Sequence, residues 1–481
     1  MRLLAVLALI ALPAAAQMPP MPGQEGKDAF NLGMLGAEGL PVKKPAEELK
    51  LPRGTVGIEV TAVLDGAPGK EGGLQVGDLI VGVGSAFLTK KMDPVYVLVD
   101  LLEQASSKKD AQVTLSVVRD GKPQAVKLKL PNLGAHSANC PVGCARCEKL
   151  TEESLQFLAG QQGADGSFPV GLGGVNGKVA VTSLAGLAML ASGSTTKEGA
   201  YADNIQRAAA WVAEHCGKED AFGPGERPTG GANWNQTNWA YGYGTLFLCE
   251  IYRLDPTPEL QTKLEEFMDT ISRNQEASGG WAHGPGGPNA LNYVELQIVG
   301  NFMLEALGAL RKAGFKPSQA TIDRGVAYAM STSGGDGGIG YSDQPGQKGM
   351  GDPGRTAGCI WAFALLDLQK HPFYARMSSF FHRSMEGLPD GHVSPVMHFT
   401  SSAFACMHLG ATFWKEFIAL FRLEILAARR PDGTFTARPT TETAALHTNT
   451  DRTLGDVWTT ASYALILQLP KGKLKLLTGA K

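Results

Sequence analysis

The order of apolar and polar positions divides this chain into a β-type part and a longer helical part. Short runs with strand character occupy Gly57–Leu64, Leu79–Val83, Val113–Val118 and Ala125–Leu130. From about residue 150 onward, segments of helix length alternate between amphipathic and almost wholly apolar ones. A helix that is apolar on every side is buried, whereas a helix with a polar face lies on the outside. The pattern therefore predicts one outer and one inner layer of helices.

Asn204–Cys216 and Pro258–Asn274 are amphipathic and represent the predicted outer layer. The segments predicted to be inner helices are Val179–Leu190, Asn238–Tyr252, Tyr293–Leu310, Thr356–Leu368, Phe399–Leu409 and Val457–Leu469.

Glycine-rich turns precede these inner segments at regular intervals. Gln162–Phe168 and Gln275–Trp281 share the spacing Gln-x3-Gly-x-aromatic. Six glycines, one before each inner segment, are separated by 57, 57, 57, 54 and 42 residues: Gly166, Gly223, Gly280, Gly337, Gly391 and Gly433. The repeat predicts an (α/α)6 toroid of six helical hairpins. The alternative is an open solenoid, but the repeats of most helical solenoids are about 34 to 47 residues long.

These turns before inner helices resemble the repeats of the squalene cyclase and protein prenyltransferase superfamily, the α/α toroids. The resemblance covers the architecture of roughly residues 150–470. It implies a fold and no particular chemistry, because one fold can carry many functions.

The β-type part resembles a bacterial PDZ domain. The resemblance rests on Val63–Pro68 followed by Leu74–Gly84, although Gly84 stands where the family often has Asn. It implies that Pro94–Gln104 is the groove helix and that the loop at Asn31–Gly36 binds a carboxylate. The expected peptide-binding residues are Leu32, Gly33, Met34, Leu35 and Gly36, and the expected partners are protein C-terminal peptides that add a strand to the sheet. The alternative is a PDZ-like spacer with a closed groove.

The order of parts resembles an uncharacterised bacterial family that combines a signal peptide, a PDZ domain and a toroid, and for which no activity is established. The predicted boundaries are a signal peptide at 1–16, a flexible lead at 17–27, a PDZ domain at 28–133, a Cys-containing linker at 134–150, the toroid at 151–470 and a tail at 471–481.

The N-terminal residues predict export. Met1-Arg2 precedes the apolar run Leu3–Leu12 and the small residues Pro13–Ala16, which is the pattern of a secretory signal. We therefore expect a periplasmic or secreted protein. No other uninterrupted apolar run reaches the roughly 18 residues that span a bilayer, so no membrane span is expected. The formal net charge of −2 does not indicate a nucleic-acid partner.

A cysteine cluster lies in the linker. Cys140, Cys144 and Cys147 have the Cys-x3-Cys-x2-Cys spacing of radical-SAM enzymes, but that motif opens a βα barrel in reducing cytoplasm. The three thiolates could hold Zn²⁺ if His136 or Glu148 supplied a fourth ligand. A disulfide with one free thiol is the alternative. In either case we expect a structural link between the linker and the first repeat.

Polar residues at the starts of the inner helices are the candidates for chemistry, because these positions face the cavity mouth in toroids. The catalytic candidates are Glu295, Arg355, His398 and Asp456. The expected cavity lining is Trp234, Asn238, Trp239, Tyr241, Tyr293 and Trp458. Aromatic residues with a few polar groups are typical of a ligand site. The alternative is that these residues only cap or pack helices.

Motifs of known toroid enzymes do not occur in the sequence. It has no Asp-x-Asp-Asp run, no Asp-x-Cys pair before Cys359 and no thioester motif around Cys216. Five histidines, His371, His382, His392, His398 and His408, fall within 38 residues, but only His392 and His398 have a spacing that brings them together. The leading hypothesis is a scaffold that binds protein C-termini and a peptide or glycan. The alternative is a polysaccharide- or peptide-acting lyase or hydrolase.

Overall fold

The computed structural model describes residues 29–42, 51–218, 236–284, 295–439 and 449–480. The predicted signal peptide and flexible lead lie outside this range. Within it, a small antiparallel β-domain precedes a larger domain that is almost entirely helical.

The β-domain is one antiparallel sheet with a short and a longer helix. Its strands are β1 (Phe30–Asn31), β2 (Ala37–Val42), β3 (Gly57–Val63), β4 (Leu79–Val83), β5 (Ala86–Phe87), β6 (Gln112–Arg119) and β7 (Lys122–Lys129). They lie in the order β1-β2-β3-β4-β6-β7, with β5 paired to β4. The helices are α1 (Pro68–Glu71) and α2 (Pro94–Ser106). Asp120 and Gly121 both have positive φ, as the type I′ two-residue turn between β6 and β7 requires.

The helical domain consists of two layers. The inner helices are α4 (Gly174–Ala191), α6 (Thr237–Leu254), α8 (Gln297–Lys312), α10 (Pro353–Leu365), α12 (Pro395–Leu409) and α15 (Asp456–Gln468). The outer helices are α3 (Ala145–Gln161), α5 (Ala202–His215), α7 (Pro258–Arg273), α9 (Gln319–Thr332), α11 (Pro372–Ser384) and α13 (Ala411–Ala428). Two short helices complete the set, α14 (Thr450–Leu454) and α16 (Lys475–Thr478).

The inner helices form a closed ring. Each packs against the next from α4 to α12, α12 packs against α15, and α15 packs against α4. An open solenoid would leave α4 and α15 without contact. The expected toroid of six hairpins is therefore the observed architecture, and the outer helix α3 belongs to it although its first residues were assigned to the linker. Of the described helices, only α4 is long and apolar enough to cross a membrane, and it is buried in this ring.

The glycine-rich turns are equivalent in four repeats. Each turn glycine has a φ between +84° and +93°: Gly166, Gly279, Gly337 and Gly433. At Gly166 and Gly279 an added Cβ would also lie 2.5 Å from a backbone oxygen of the following outer helix. Glycine is therefore required for both conformation and space. The register predicted through Gly280 is wrong by one residue, and Gly391, with φ −58°, is not equivalent. Gly223 lies outside the described residues.

The residues assigned to a tail cover one end of the ring. Glu250 Oε1, near the end of α6, accepts the backbone N–H groups of Leu476 and Leu477 at 2.9 and 3.1 Å. The carbonyl of Leu477 accepts the indole N–H of Trp361 at 3.0 Å. His408 Nε2 lies 2.9 Å from the same oxygen. The C-terminal segment thus covers the end at which the inner helices finish.

Candidate functional site

A row of polar side chains runs along the ring-facing side of α8. Gln297, Asn301 and Glu305 are spaced four residues apart, so they lie above one another on one helix face. Gln297 Nε2 donates to Asn301 Oδ1 at 2.8 Å, and Asn301 Nδ2 donates to the carbonyl of Arg355 at 2.8 Å. All three side chains are buried. The row leads from the start of α8 to a carboxyl group two turns deeper in the ring.

Glu305 is the deepest member of this row, with an exposed fraction of 0%. Neither carboxyl oxygen has a hydrogen-bond partner among the residues that the structure describes. Burial raises the pKa of this carboxyl well above its ordinary value. A carboxyl in such surroundings stays protonated near neutral pH, because ionisation without a partner in a low dielectric is costly. Glu305 therefore has a proton available for donation.

Asp451 is a second buried carboxyl, but its oxygens are all engaged. It accepts hydrogen bonds from Ser394 Oγ at 2.5 Å, the backbone N–H of Val396 at 3.1 Å and Trp458 Nε1 at 2.8 Å. Burial raises the pKa of Asp451 to about 6, while these three donors oppose the rise. The three donors therefore favour the ionised form of Asp451, whereas burial without a partner favours the protonated form of Glu305.

Tyr243 on α6 lies within electrostatic range of both carboxyl groups. Burial is the largest cause that raises the pKa of Tyr243, and electrostatic interactions with the Glu305 and Asp451 carboxyls add to it. Its ring packs at 4.7 Å from Phe302 and edge-on at 5.7 Å from Trp458. Two differently ionised carboxyls and a tyrosine hydroxyl thus share an interior walled by aromatic rings.

The structure tests the predicted cavity lining by the direction in which each side chain points. Trp458 contacts Tyr243 inside the ring, and Trp239 packs at 5.4 Å from Phe302 while donating to His283. Trp234 and Tyr293 lie outside the described residues.

The prediction is wrong for Asn238 and Tyr241. Asn238 bonds to Asn274 and to the carbonyl of Ala282, both in the turn region behind α6. Tyr241 packs edge-on at 5.2 Å from Phe267 of the outer helix α7. Both residues face the outer layer, because they lie on the opposite side of α6 from Trp239 and Tyr243.

The four predicted catalytic residues do not form one group. Asp352, the N-cap of α10, accepts the backbone N–H of Arg355 and lies 3.5 Å from His398 Nδ1. This brings Arg355 and His398 together at the starts of α10 and α12. The other two candidates lie elsewhere.

Glu295 contacts Ser278 at 3.3 Å in the turn before α8 and is partly exposed. Asp456 pairs with Arg430 at 2.5 Å and is 38% exposed. Neither side chain has a described contact with the buried carboxyls inside the ring. Sequence reasoning did not single out Glu305 and Asp451 because it considered only the starts of the inner helices. The available signal for Glu305 was the four-residue spacing from Gln297 through Asn301 in an otherwise apolar helix.

The predicted peptide-binding loop, Leu32 to Gly36, is covered by the toroid. Leu32, Met34 and Leu35 are buried, and their cluster includes Leu426 and Ala427 at the end of α13. An added Cβ on Gly33 would lie 2.4 Å from the carbonyl oxygen of Leu426. Three of the loop's five backbone donors are also engaged locally, because the N–H groups of Leu32, Leu35 and Gly36 bond within the segment up to Ala37. The prediction that this loop holds a peptide carboxylate is therefore wrong for this arrangement of the domains.

Polar contacts also hold the β-domain against the end of α13. Asn31 Nδ2 donates to the carbonyls of Ala427 and Arg429 at 2.6 and 2.8 Å. Tyr96 on α2 donates to Glu424 Oε2 at 2.7 Å, and Tyr463 donates to the other oxygen of Glu424 at 3.1 Å. The β-domain is thus joined to the ring through both apolar and charged groups.

The linker cysteines gather around His136. His136 Nδ1 lies 3.3, 3.5 and 3.6 Å from the sulfurs of Cys140, Cys144 and Cys147. Burial alone would lower the pKa of His136, but the contacts with Cys140 and Glu103 raise it to about 10. The contact with Cys147, together with His136, lowers the pKa of Cys140 to about 5. Glu148, the other suggested fourth ligand, is not part of this group.

The histidines of the C-terminal half do not make a second group of this kind. Across the described residues, the linker cluster is the sole set of three or more His, Cys, Asp or Glu side chains close enough to share an ion. His371 caps α11 by accepting from Phe373 N, and His382 pairs with Glu416.

Solved structures with a similar course of the chain include glycoside-acting enzymes. The unsaturated glucuronyl hydrolase of Bacillus sp. GL1 is 15% identical, with a TM-score of 0.47 over 68% of this chain and 97% of that one. The GH76A α-1,6-mannanase of Salegentibacter sp. HEL1_6 is 8% identical, with a TM-score of 0.46 over 68% and 99%. A family 76 glycoside hydrolase of a bovine Bacteroides thetaiotaomicron strain is 10% identical, with a TM-score of 0.46 over 75% and 83%.

No curated protein matches the sequence. A family described as a domain of unknown function, DUF6288, matches residues 148–479. This match spans more than half of the chain and includes all six inner helices. The chain therefore belongs to the DUF6288 family.

Proposed function

We propose that the protein is a glycan-acting hydrolase with its reaction centre inside the ring, around Glu305 and Asp451. The observation that carries the proposal is the pair of buried carboxyls whose pKa values are raised to different extents. Cleavage of a glycosidic bond requires one protonated carboxyl to donate to the leaving oxygen and a second, ionised one to act as base or nucleophile. Carboxyls in different environments supply these two roles at one pH.

Glu305 is the proposed general acid. Burial without a hydrogen-bond partner favours the protonated carboxyl. The glycosidic oxygen of a bound glycan would then accept this proton as the bond breaks. Asp451 is the proposed base or nucleophile, because its three donors favour the ionised form while burial keeps it less acidic than an exposed aspartate. Trp239 and Trp458 supply aromatic faces on which sugar rings can stack.

The direction of substrate entry follows from the closure of the ring. The C-terminal segment covers the end where the inner helices finish, through Glu250, Trp361 and His408. A glycan would therefore enter where the inner helices begin, past Gln297 and Arg355. Both carboxyls are fully buried here, so entry requires side chains at that end to move.

The experiment is a screen of the full-length protein against neutral and acidic polysaccharides, with release of reducing ends as the readout. Mass spectrometry of the products separates hydrolysis, which adds water, from elimination, which leaves an unsaturated sugar. We expect hydrolytic products that Glu305→Gln reduces by about 100- to 10,000-fold, the usual contribution of a general acid. Turnover that is unchanged in Glu305→Gln would contradict the proposal.

We also propose that the protein is exported, on the pattern of Met1–Ala16. N-terminal sequencing of the mature protein tests this, with Gln17 as the expected first residue.

A further inference from the structure

The interface between the two domains contains a complete set of ligands for a tetrahedral metal ion. His136, Cys140, Cys144 and Cys147 each offer one ligand atom, and these atoms all lie within 4.8 Å of one another. The sulfurs of Cys140 and Cys147 are 3.1 Å apart. In a tetrahedral zinc site with Zn–S bonds of about 2.3 Å, sulfurs are about 3.8 Å apart, so small side-chain shifts suffice to place an ion between them. We propose that these four residues bind Zn²⁺ as a structural Cys3His site.

Local structure presents the ligands to one point. Cys144 is the N-cap residue of α3, and Cys147 lies in the first turn of the same helix. The turn from Cys140 to Cys144 brings the first sulfur back over this helix start, and the backbone N–H of Ser137 points at Cys144 Sγ from 3.4 Å. Such N–H contacts stabilise a thiolate and so favour the ligating form.

The surroundings of His136 match those of a metal-bound histidine. Its Nδ1 faces the sulfurs, while its Nε2 lies 2.5 Å from Glu103 Oε1. A carboxylate on the outer nitrogen of a histidine fixes the ring and strengthens the inner nitrogen as a ligand. Glu103 lies on α2 of the β-domain, whereas Cys147 lies on α3 of the helical domain. The carboxylate that holds His136 and the cysteine ligand Cys147 therefore come from different domains.

The buried charges balance when Zn²⁺ is present. Zn²⁺ with three thiolates and a neutral imidazole carries a net charge of −1, and Glu103 adds another −1. Arg146, which is 1% exposed, lies 3.8 Å from Glu103, and Arg422 of α13 pairs with the other oxygen of Glu103. Arg146 and Arg422 therefore offset the charge of the site and its carboxylate, as buried charges require, while Arg422 is shared with the partly exposed Asp100. Glu103 connects the zinc site to α13, so the ion helps to hold the β-domain on the ring.

The first test is the metal content of the full-length protein, expressed with zinc and purified without reductant or chelator. We expect one zinc per chain in the wild type, loss of zinc in Cys147→Ser, and one zinc in Cys216→Ser, which alters a cysteine outside the cluster. Zinc-free wild type with a mass lower by two hydrogens and a cross-linked cluster peptide would identify a disulfide and overturn the proposal.

The second test needs no substitution in a ligand, so it is informative even if Cys147→Ser fails to fold. Zinc is exchanged for Co²⁺ in the wild type, and the absorption spectrum is recorded. We expect the intense bands of tetrahedral Co²⁺ together with thiolate-to-cobalt charge transfer. A weak octahedral spectrum, or no bound cobalt, would overturn the proposal.

The role of Glu103 is tested by Glu103→Gln with Asp100→Asn as the matched control. Both carboxylates pair with Arg422, but only Glu103 contacts His136. We expect zinc affinity to fall about 10- to 100-fold in Glu103→Gln, as is typical for a lost outer partner, with one zinc still bound at saturation. In Asp100→Asn the affinity should stay at the wild-type value. Equal affinities in the two variants would overturn the role of Glu103.

Discussion

Trp458 donates its indole N–H to Oδ1 of Asp451 across 2.8 Å, which ties the first turn of α15 to the short helix α14 before it. The same carboxylate accepts from Ser394 and Val396 at the start of α12. Asp451 thus bridges α12 and α15, two neighbours in the closed ring. The orientation of this carboxyl is fixed by three donors before any substrate arrives, which is the condition that a preorganised catalytic group must meet.

The raised pKa of Asp451 predicts that the wild type loses folding stability as pH rises, and that Asp451→Asn does not. The folded pKa of about 6 exceeds the unfolded value of about 3.9, so the folded state binds more protons between these values and the wild type loses stability as pH rises through this window. The integrated loss is roughly 3 kcal/mol. The asparagine loses a hydrogen bond but has no such dependence. Urea unfolding at pH 4 and pH 7 should therefore show that the free energy of unfolding of the wild type, relative to that of Asp451→Asn, is smaller at pH 7. A difference in the free energy of unfolding that is equal at both pH values would contradict the raised pKa of Asp451.

Glu305→Gln should make the protein more stable at neutral pH. The native Glu305 stays protonated, whereas the unfolded chain ionises it above a pKa of about 4.3, so the wild type loses stability as pH rises from there and the glutamine does not. Thermal unfolding at pH 4 and pH 8 should give similar melting temperatures at the lower pH and a higher one for the variant at pH 8. A variant that melts below the wild type at both pH values would mean that Glu305 has a stabilising partner.

Gly358 on α10 leaves the space that Asn301 and Glu305 occupy. An added Cβ would lie 2.9 Å from Asn301 Nδ2 and 3.3 Å from Glu305 Oε1. We expect Gly358→Ala to destabilise the fold by about 1 to 3 kcal/mol through overpacking, measured by urea unfolding. Gly160→Ala in α3 is the control, since an added Cβ there meets nothing within 4 Å and should stabilise the helix by about 0.5 to 1 kcal/mol. Similar effects of both changes would rule out the close packing at Gly358.

Tyr96→Phe should weaken the contact between the β-domain and the ring. The hydroxyl donates to Glu424, which is 1% exposed, and a hydrogen bond to a charged group contributes about 1.5 to 3 kcal/mol. Tyr252→Phe is the control, because that hydroxyl makes one exposed contact of 3.5 Å with Gln261. Thermal unfolding should show a lower melting temperature for Tyr96→Phe than for the wild type and almost no change for the control. Equal melting temperatures for Tyr96→Phe and the wild type would contradict the role of this bond.

Most of the fold followed from periodicity. The predicted inner segment Asn238–Tyr252 is observed as Thr237–Leu254, and the outer segment Pro258–Asn274 as Pro258–Arg273, because apolar spacing and capping act locally. The register error at Gly280 arose because the equal intervals of 57 residues were counted to the second of two adjacent glycines, whereas the Gln-x3-Gly-x-aromatic spacing selects Gly279. Gly279 has the positive φ and the close approach to the next helix.

The site was less predictable because it depends on the direction of side chains across the whole ring. Asn238 and Trp239 are adjacent in sequence, yet one faces the outer layer and the other the interior. The cover over the Leu32 to Gly36 loop depends on Leu426, almost four hundred residues later, and no local pattern encodes that contact. The cysteine spacing, in contrast, gave three of the four proposed zinc ligands and named His136 as a candidate for the fourth.

The measurement that tests the central claim most directly compares glycan hydrolysis by the wild type, Glu305→Gln and Glu250→Gln. Both glutamates are fully buried on inner helices, but Glu250 lies at the covered end, where it binds Leu476, Leu477 and Arg253. We predict that kcat/KM falls about 100-fold or more in Glu305→Gln, as loss of a general acid requires, and stays near the wild-type value in Glu250→Gln. Equal activity in the wild type and Glu305→Gln, or an equal loss in both variants, would contradict a catalytic role for Glu305.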